Sequence, residues 1–386
     1  MLDFSFTEEQ EDFRRTLKKL ATEELLPSYT KWDKEKKLPR HLWKRLGDVG
    51  ITGLRVPEQF GGSAADCVTT GIAAEEIGRG DFNLTYAVML NALIGEIIAT
   101  HASEELKEEF LPALASGEQI FGIAITEPDA GTDAAGIKTS AVDEGDVYVL
   151  NGEKSGISVA TEADAFVVFA KPIQHEIAEL ARFSCHQDWT GLRAQVMTIW
   201  QCCHSRVCLF SRSRSKKIIL VSTQDLNKTA LILVGYLVFN VLVSRSKLDE
   251  TIQHVKTRQS FGQPLATYQG VSFPIVTHYQ QLEMLKWQAY RGLWLRDQGR
   301  SHTKEAATVK WLGPKYSQEA IHECLLLNGH YAYTKEMPLE QRLRDVIGLE
   351  IGDGTAQANQ MVIAKQLIGK AYRSYQHSNQ TERVKG

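Results

Sequence analysis

The chain of 386 residues carries 44 Lys and Arg against 47 Asp and Glu, a formal charge of −3, with 43% apolar and 24% charged residues. That length predicts two to three domains, and the apolar share excludes a wholly disordered chain. The near-neutral balance leaves no basic face to attract nucleic acid, and six cysteines are too few for a disulfide scaffold, so a reducing, cytoplasmic setting is expected. The first ten residues are acidic and lack an apolar stretch, so no signal peptide is expected. The longest apolar run, from Ala230 to Val243, contains Asn240 and falls short of the roughly 18–20 residues of a membrane span.

In chain order, the first third reads as helices. Thr7 and Gln10 have the spacing of a capping box, and Phe13, Leu17, Leu20, Ala21 and Leu25 follow at helical spacing before Pro27. Residues Tyr86 to Ala99 are apolar almost all round, which predicts a helix inside a bundle. Ser103 opens a further helix that buries Leu106, Phe110, Leu111 and Leu114. Near residue 120 the pattern changes to short β-branched and aromatic segments, Ile120–Ile125, Val147–Leu150 and Ala165–Ala170, separated by turn residues. Helical spacing returns at Leu248, and Val271, Ile275, His278, Leu282, Leu285 and Ala289 form a heptad seam that predicts a long partner helix or a partner subunit. The fold class is therefore α+β, mainly α: a helical domain over 1–120, a β domain over 121–235 and a helical bundle over 236–386.

Three constellations carry chemistry. The loop Ile125-Thr-Glu-Pro-Asp-Ala-Gly-Thr-Asp133 leaves a strand with hydroxyls, a glycine and free backbone N–H groups, which suits a phosphate or a flavin edge. In Thr257-Arg-Gln-Ser-Phe-Gly262, Arg258 can grip a pyrophosphate and Phe261 can cover an aromatic ring, although a cationic helix end followed by Gly and Pro explains the same residues. In Ile351-Gly-Asp-Gly-Thr355, Asp353 sits between glycines just before a helix and can act as a general base; a capped Asp-Gly turn is the alternative. Arg344 and Asp345 read as a structural ion pair. The cysteines and histidines at 185–186, 202–204 and 208 lack the spacing of a zinc knuckle, and no metal is expected.

Taken together and in order, these motifs resemble the acyl-CoA dehydrogenase family, with further matches at Phe6-Thr-Glu-Glu-Gln10, Val56-Pro-Glu-Gln-Phe-Gly-Gly62, Leu150-Asn-Gly-Glu-Lys154 and Arg344-Asp345. The resemblance spans residues 1–172 and 248–376. It implies an α-bundle, a β-barrel-like middle domain and a C-terminal four-helix bundle, with FAD held between the last two. It places Ile125, Thr126, Thr132 and Ser158 on the flavin and its phosphates, and Thr355 and Gln357 beside the flavin. Arg258, Phe261 and Gln269 would reach the FAD of a neighbouring subunit in a homotetramer. An acyl-CoA substrate, an electron-transferring flavoprotein as acceptor and Asp353 as base complete the expectation. An acyl-CoA oxidase and a scaffold without activity are the competing readings.

The chain departs from that family at four places. Asp353 replaces the usual glutamate, Gly156 stands where a tryptophan is usual, and Leu326-Leu-Asn-Gly-His330 replaces a Gln-x-x-Gly-Gly element. All three look like the branch acting on alicyclic thioesters such as cyclohexanecarboxyl-CoA. The fourth departure is the stretch 174–247, which has paired cysteines, alternating Arg and Ser, and no Asp-x-x-Arg pair for CoA, as though read in another frame. It predicts irregular structure from about Ile173 to Lys247, a half-built sheet with unpaired edges, poor solubility and weak FAD retention.

Overall fold

The computed structural model describes residues 5–36, 38–145, 148–172, 180–183, 192–196, 206–215, 218–221 and 239–372. The N-terminal helices are α1 (Glu8–Leu20), α2 (Tyr29–Glu35), α3 (His41–Asp48), α4 (Cys67–Gly80), α5 (Phe82–His101) and α6 (Glu104–Ala115). The capping box opens α1 as expected: Thr7 Oγ1 accepts the Gln10 N–H, and the Gln10 side chain accepts the Thr7 N–H. The predicted continuous helix to Leu25 instead widens into a π turn over Ala21–Leu25. Gly80 packs against that turn so closely that a Cβ there would lie 2.6 Å from the Ala21 carbonyl oxygen. Helix α5 is long and apolar enough to cross a membrane, yet 83% of its most apolar window is buried inside the protein. Phe110 of α6 meets Phe121 of the first strand edge-on, with centroids 5.9 Å apart.

The strands are β1 (Phe121–Ala124), β2 (Ser140–Asp143), β3 (Tyr148–Ile157), β4 (Ala165–Pro172), β5 (Leu180–Phe183), β6 (Leu192–Val196), β7 (Arg206–Ser215) and β8 (Ile218–Val221). They form one sheet in the order β6-β7-β3-β2-β4-β5-β8, with β1 parallel to β4 off this path. The half-built sheet expected from the sequence is therefore corrected. Strand β7 runs antiparallel along β3, from Tyr148↔Ser215 to Ile157↔Arg206, and β5 pairs β4. Backbone pairing with β3 and β4 holds these strands despite their poor side-chain pattern, because strand formation depends on the neighbour more than on intrinsic preference. The expectations for 173–179, 184–191, 197–205, 216–217 and 222–238, which include Cys185, Cys202 and Cys203, lie outside the described residues. So does Val147 of the second predicted strand.

The C-terminal helices are α7 (Phe239–Thr257), α8 (Gln269–Asp297), α9 (Thr303–Asn328), α10 (Leu339–Ile351) and α11 (Ala356–Ile368). The described residues are mainly helical. The heptad seam is real: Ile275, Leu282, Leu285 and Ala289 are buried along α8, which packs on α9 and α7. Two polar junctions tie α8 to the N-terminal helices. The buried Glu75 carboxylate of α4 takes Arg14 (2.8 Å), Lys286 (3.1 Å) and the Tyr290 hydroxyl (2.5 Å). The Asp297 carboxylate accepts the first N–H groups of α4, from Cys67 and Val68, where the helix dipole favours an anion.

A third junction docks α10. Arg342, fully buried, donates to the carbonyls of Gly78 (3.0 Å), Arg79 (2.8 Å) and Gly80 (3.2 Å), the C-terminal end of α4. Its guanidinium lies 4.6 Å from the centroid of the Tyr29 ring, and the Tyr29 hydroxyl donates to Asp345. The ion pair expected between Arg344 and Asp345 is corrected: Arg344 reaches Asp33 (2.7 Å) and Glu340 (2.9 Å), while Asp345 turns inward to Tyr29. Burial pushes the Asp345 carboxyl up to about 8, against the opposing pull of the Tyr29 hydrogen bond and of Arg342.

A carboxyl raised in the folded state favours folding most at low pH. Its contribution is complete below the unfolded value near 4 and is lost as pH rises through about 8. Asp345→Asn is therefore expected to flatten the fall in thermal stability between pH 5 and pH 9, where one such group contributes at most about 1.4 kcal/mol per pH unit. Melting curves of parent and variant across that range test this, and two parallel curves would refute it.

Candidate active site

The strand-exit loop is built around one buried ion pair. Glu127 turns inward and accepts from Lys154 Nζ (2.8 Å), from the Lys138 N–H (2.5 Å) and from the Thr139 N–H (2.9 Å). Lys154, wholly buried on β3, also donates to the Ile125 carbonyl (2.8 Å), and the Ser155 N–H donates to the Thr126 carbonyl (2.8 Å). A reciprocal backbone bridge between Glu127 and Ala130 closes the turn. The two partners respond differently. Three donors hold the Glu127 carboxyl down at about 2 despite its burial, whereas burial outweighs the single carboxylate for Lys154 and draws its ammonium down to about 8.

With Glu127 turned in, Thr126 and Thr132 stand exposed on the rim, and Ile125 and Ser158 are half-buried beside them. Asp129 does not charge this rim freely, because Lys138 pairs with it at 2.9 Å. Gly156, at φ 67, is open on the side where a Cβ would project, with no atom within 4 Å.

A second group lies where α7 ends. Phe261, 96% exposed, is at the tip of a two-residue hairpin in which Gln259–Ser260 (β9) pairs with Gln263–Pro264 (β10), and Arg258, also exposed, stands at its base, where its carbonyl accepts the Leu265 N–H. The Tyr268 hydroxyl donates to the Ser260 carbonyl at 2.8 Å and braces the hairpin against the start of α8, where Gln269 is exposed.

The third group follows α10. Asp353 occupies the left-handed region (φ 56), a conformation that Asp tolerates better than most residues, and Gly354 follows at φ 101. Thr355 caps α11 by accepting the Ala358 N–H (3.3 Å), with Gln357 exposed on the first turn. Asn359 Nδ2 donates to the carbonyls of Gly354 (3.2 Å) and Thr355 (2.9 Å) and holds the loop from downstream. The Asp353 residue is exposed, yet desolvation by the protein around it raises its carboxyl above the ordinary value, and Lys310 opposes that rise.

No hydrogen bond or ion pair among the described residues joins these three groups. Sequence reasoning missed the inner residues that aim them: Glu127, Lys154, Asn359 and Lys310. Lys310 had a signal, since it stands at a seam position of α9 with Ala306, Gly313 and Ser317 and is buried with them.

Models of the acyl-CoA dehydrogenase N-terminal, middle and C-terminal domains match residues 7–118, 122–195 and 234–368. The chain is 30% identical over 380 residues to benzylmalonyl-CoA dehydrogenase of Aromatoleum aromaticum, covering 95% of this chain and 100% of that one. Among solved structures, it matches an acyl-CoA dehydrogenase from Geobacillus kaustophilus with a TM-score of 0.89 at 25% identity, over 95% and 100% of the two chains. It also matches an FAD complex of PigA with a TM-score of 0.88 at 26% identity, over 95% and 99%. The chain belongs to the acyl-CoA dehydrogenase family.

Removing Lys154 would leave Glu127 buried and short of a partner. Lys154→Met is expected to cost about 3–5 kcal/mol, the range for breaking a buried pair. Urea unfolding of parent and variant measures it, and a loss below about 1 kcal/mol would show that the pair does not hold the loop.

Proposed function

We propose that this enzyme introduces a 2,3 double bond into a CoA thioester with FAD as cofactor, that Asp353 is its base, and that its acyl group is alicyclic, of the cyclohexanecarboxyl type. Family membership supports the reaction class. The observation that carries the catalytic assignment is the Asp353 carboxylate, raised by desolvation and held on a left-handed turn between two braced helix ends. A carboxylate so placed can take the acidic proton next to a thioester carbonyl.

The residues present fit the cofactor. The rim hydroxyls of Thr126, Thr132 and Ser158 and the exposed Arg258 are donors for a pyrophosphate and a flavin edge, and the Glu127 carboxylate of the loop is paired with Lys154 and faces inward. Ile125, Thr126, Thr132, Ser158, Thr355 and Gln357 would hold the FAD of their own subunit. Arg258, Phe261 and Gln269 would hold that of a neighbour in a homotetramer, which agrees with their exposure. FAD, when bound, supplies the acceptor for the hydride leaving the β carbon, and an electron-transferring flavoprotein would take the electrons onward. The protein's own part is to place the thioester, take the α proton on Asp353 and keep water from the reacting carbons. A barrel-like closure of the middle sheet and a cytoplasmic location complete this reading.

The alicyclic acyl group is supported by room. Asp353 is one methylene shorter than the usual glutamate, and nothing stands within 4 Å of the Cβ direction of Gly156.

The purified protein is expected to be yellow, with flavin absorbance that bleaches on addition of cyclohexanecarboxyl-CoA under anaerobic conditions. Asp353→Asn is expected to slow bleaching by about 10²–10⁴-fold. Stopped-flow absorbance measures both, and a variant that bleaches at the parental rate would reject the base. Colourless protein that takes up no FAD would reject the enzyme itself, and peroxide released without an added acceptor would assign an oxidase instead.

A further inference from the structure

We propose that Lys310 is a positioning residue for Asp353, holding the end of α10 that delivers the base and placing a buried positive charge at that helix end. This deepens the reading of Asp353 as base and rests on it. Lys310 sits on α9 with only 4% of its surface exposed, and its Nζ donates to the Leu349 carbonyl at 2.5 Å. Leu349 is in the last turn of α10, four residues before Asp353. The carbonyls of a last turn have no partner within their own helix, and a cation is favoured against them. The base loop is therefore gripped from both sides, by Lys310 upstream and by Asn359 on the Gly354 and Thr355 carbonyls downstream.

A buried ammonium normally pairs with a carboxylate. Among the described residues none lies within ion-pair distance of Lys310. The two anionic groups that act on it from further away are Asp353 and Glu350, and the charged group acting on Asp353 is Lys310. Glu350 and Asp353 are both exposed, so water screens both. Burial lowers the Lys310 ammonium, desolvation raises the Asp353 carboxyl, and each group offsets the shift of the other. The consequence is functional: where its surroundings favour the neutral acid, the lysine's charge favours the ionised base, ready to accept a proton.

The test is the pH dependence of anaerobic flavin bleaching in the flavin-loaded enzyme, with melting temperature and flavin content measured alongside. Lys310→Gln keeps a donor for the Leu349 carbonyl and removes the charge. Its ascending limb, where the base ionises, is expected to move up by about one pH unit, with flavin content unchanged. Lys310→Arg keeps the charge and is expected to leave the limb within about 0.3 of the parent. A folded, flavin-bound Lys310→Gln with the parental limb would overturn the proposal. If the glutamine variant does not fold, a folded Lys310→Arg whose limb shifts upward overturns it, and one whose limb stays supports it. Asp353→Asn, run in parallel, separates the two readings. If it bleaches normally the base assignment fails, and if it is inactive while the Lys310→Gln limb stays put, only the role of Lys310 fails.

Discussion

Arg342 has no access to water, and α10 can dock only where that charge is met. It is met by three carbonyls at the C-terminal end of α4, a place where helix dipoles concentrate negative charge, with the Tyr29 ring beneath it. Because α10 runs straight from this junction into Gly352 and Asp353, the anchor in the N-terminal helices also sets where the candidate base lies. Asp81 adds to the junction by capping α5, accepting the Asn83 N–H at 2.7 Å, and its own burial raises its carboxyl to about 6. Two raised carboxyls around one cation make an interior whose charge state changes across the pH range in which enzymes work.

The parts of the candidate site share one design. Each exposed functional group is carried by a short loop, and each loop is fixed by a residue facing the interior: Thr126 and Thr132 by Glu127 and Lys154, Asp353 by Asn359 and Lys310. The inner residues bear buried charge or amide groups that would be costly anywhere else. They stay because the loops would otherwise have no reason to hold one conformation.

Much of this was legible in the sequence. The caps at Thr7, Ser103 and Thr355, the buried α5 and the seam of α8 follow from periodicity and local hydrogen bonding, which short windows contain. The loops bearing Thr126 and Asp353 announced themselves by Gly, Pro and hydroxyl residues. What failed was long-range. Strands β5 to β8 carry little pattern of their own and are organised by β3 and β4, and Asp345 turned to a tyrosine 316 residues away rather than to its neighbour. Lys154 looks like an ordinary surface lysine until the packing around it is known.

The sequence distances in the α10 junction bear on how the chain folds. Tyr29 waits for Asp345, and the end of α4 waits for Arg342 some 264 residues later. Contacts this remote carry a loop-closure cost before they return anything, and they slow folding. During synthesis the helices that bear Tyr29 and Gly78 to Gly80 emerge well before Arg342 and Asp345, so these carbonyls and this hydroxyl wait for their partners. Those helices are therefore completed by residues far later in the chain. A chain that stops short of Arg342 loses a partner of these helices along with the candidate base, and it would behave as an aggregation-prone intermediate rather than as a smaller protein.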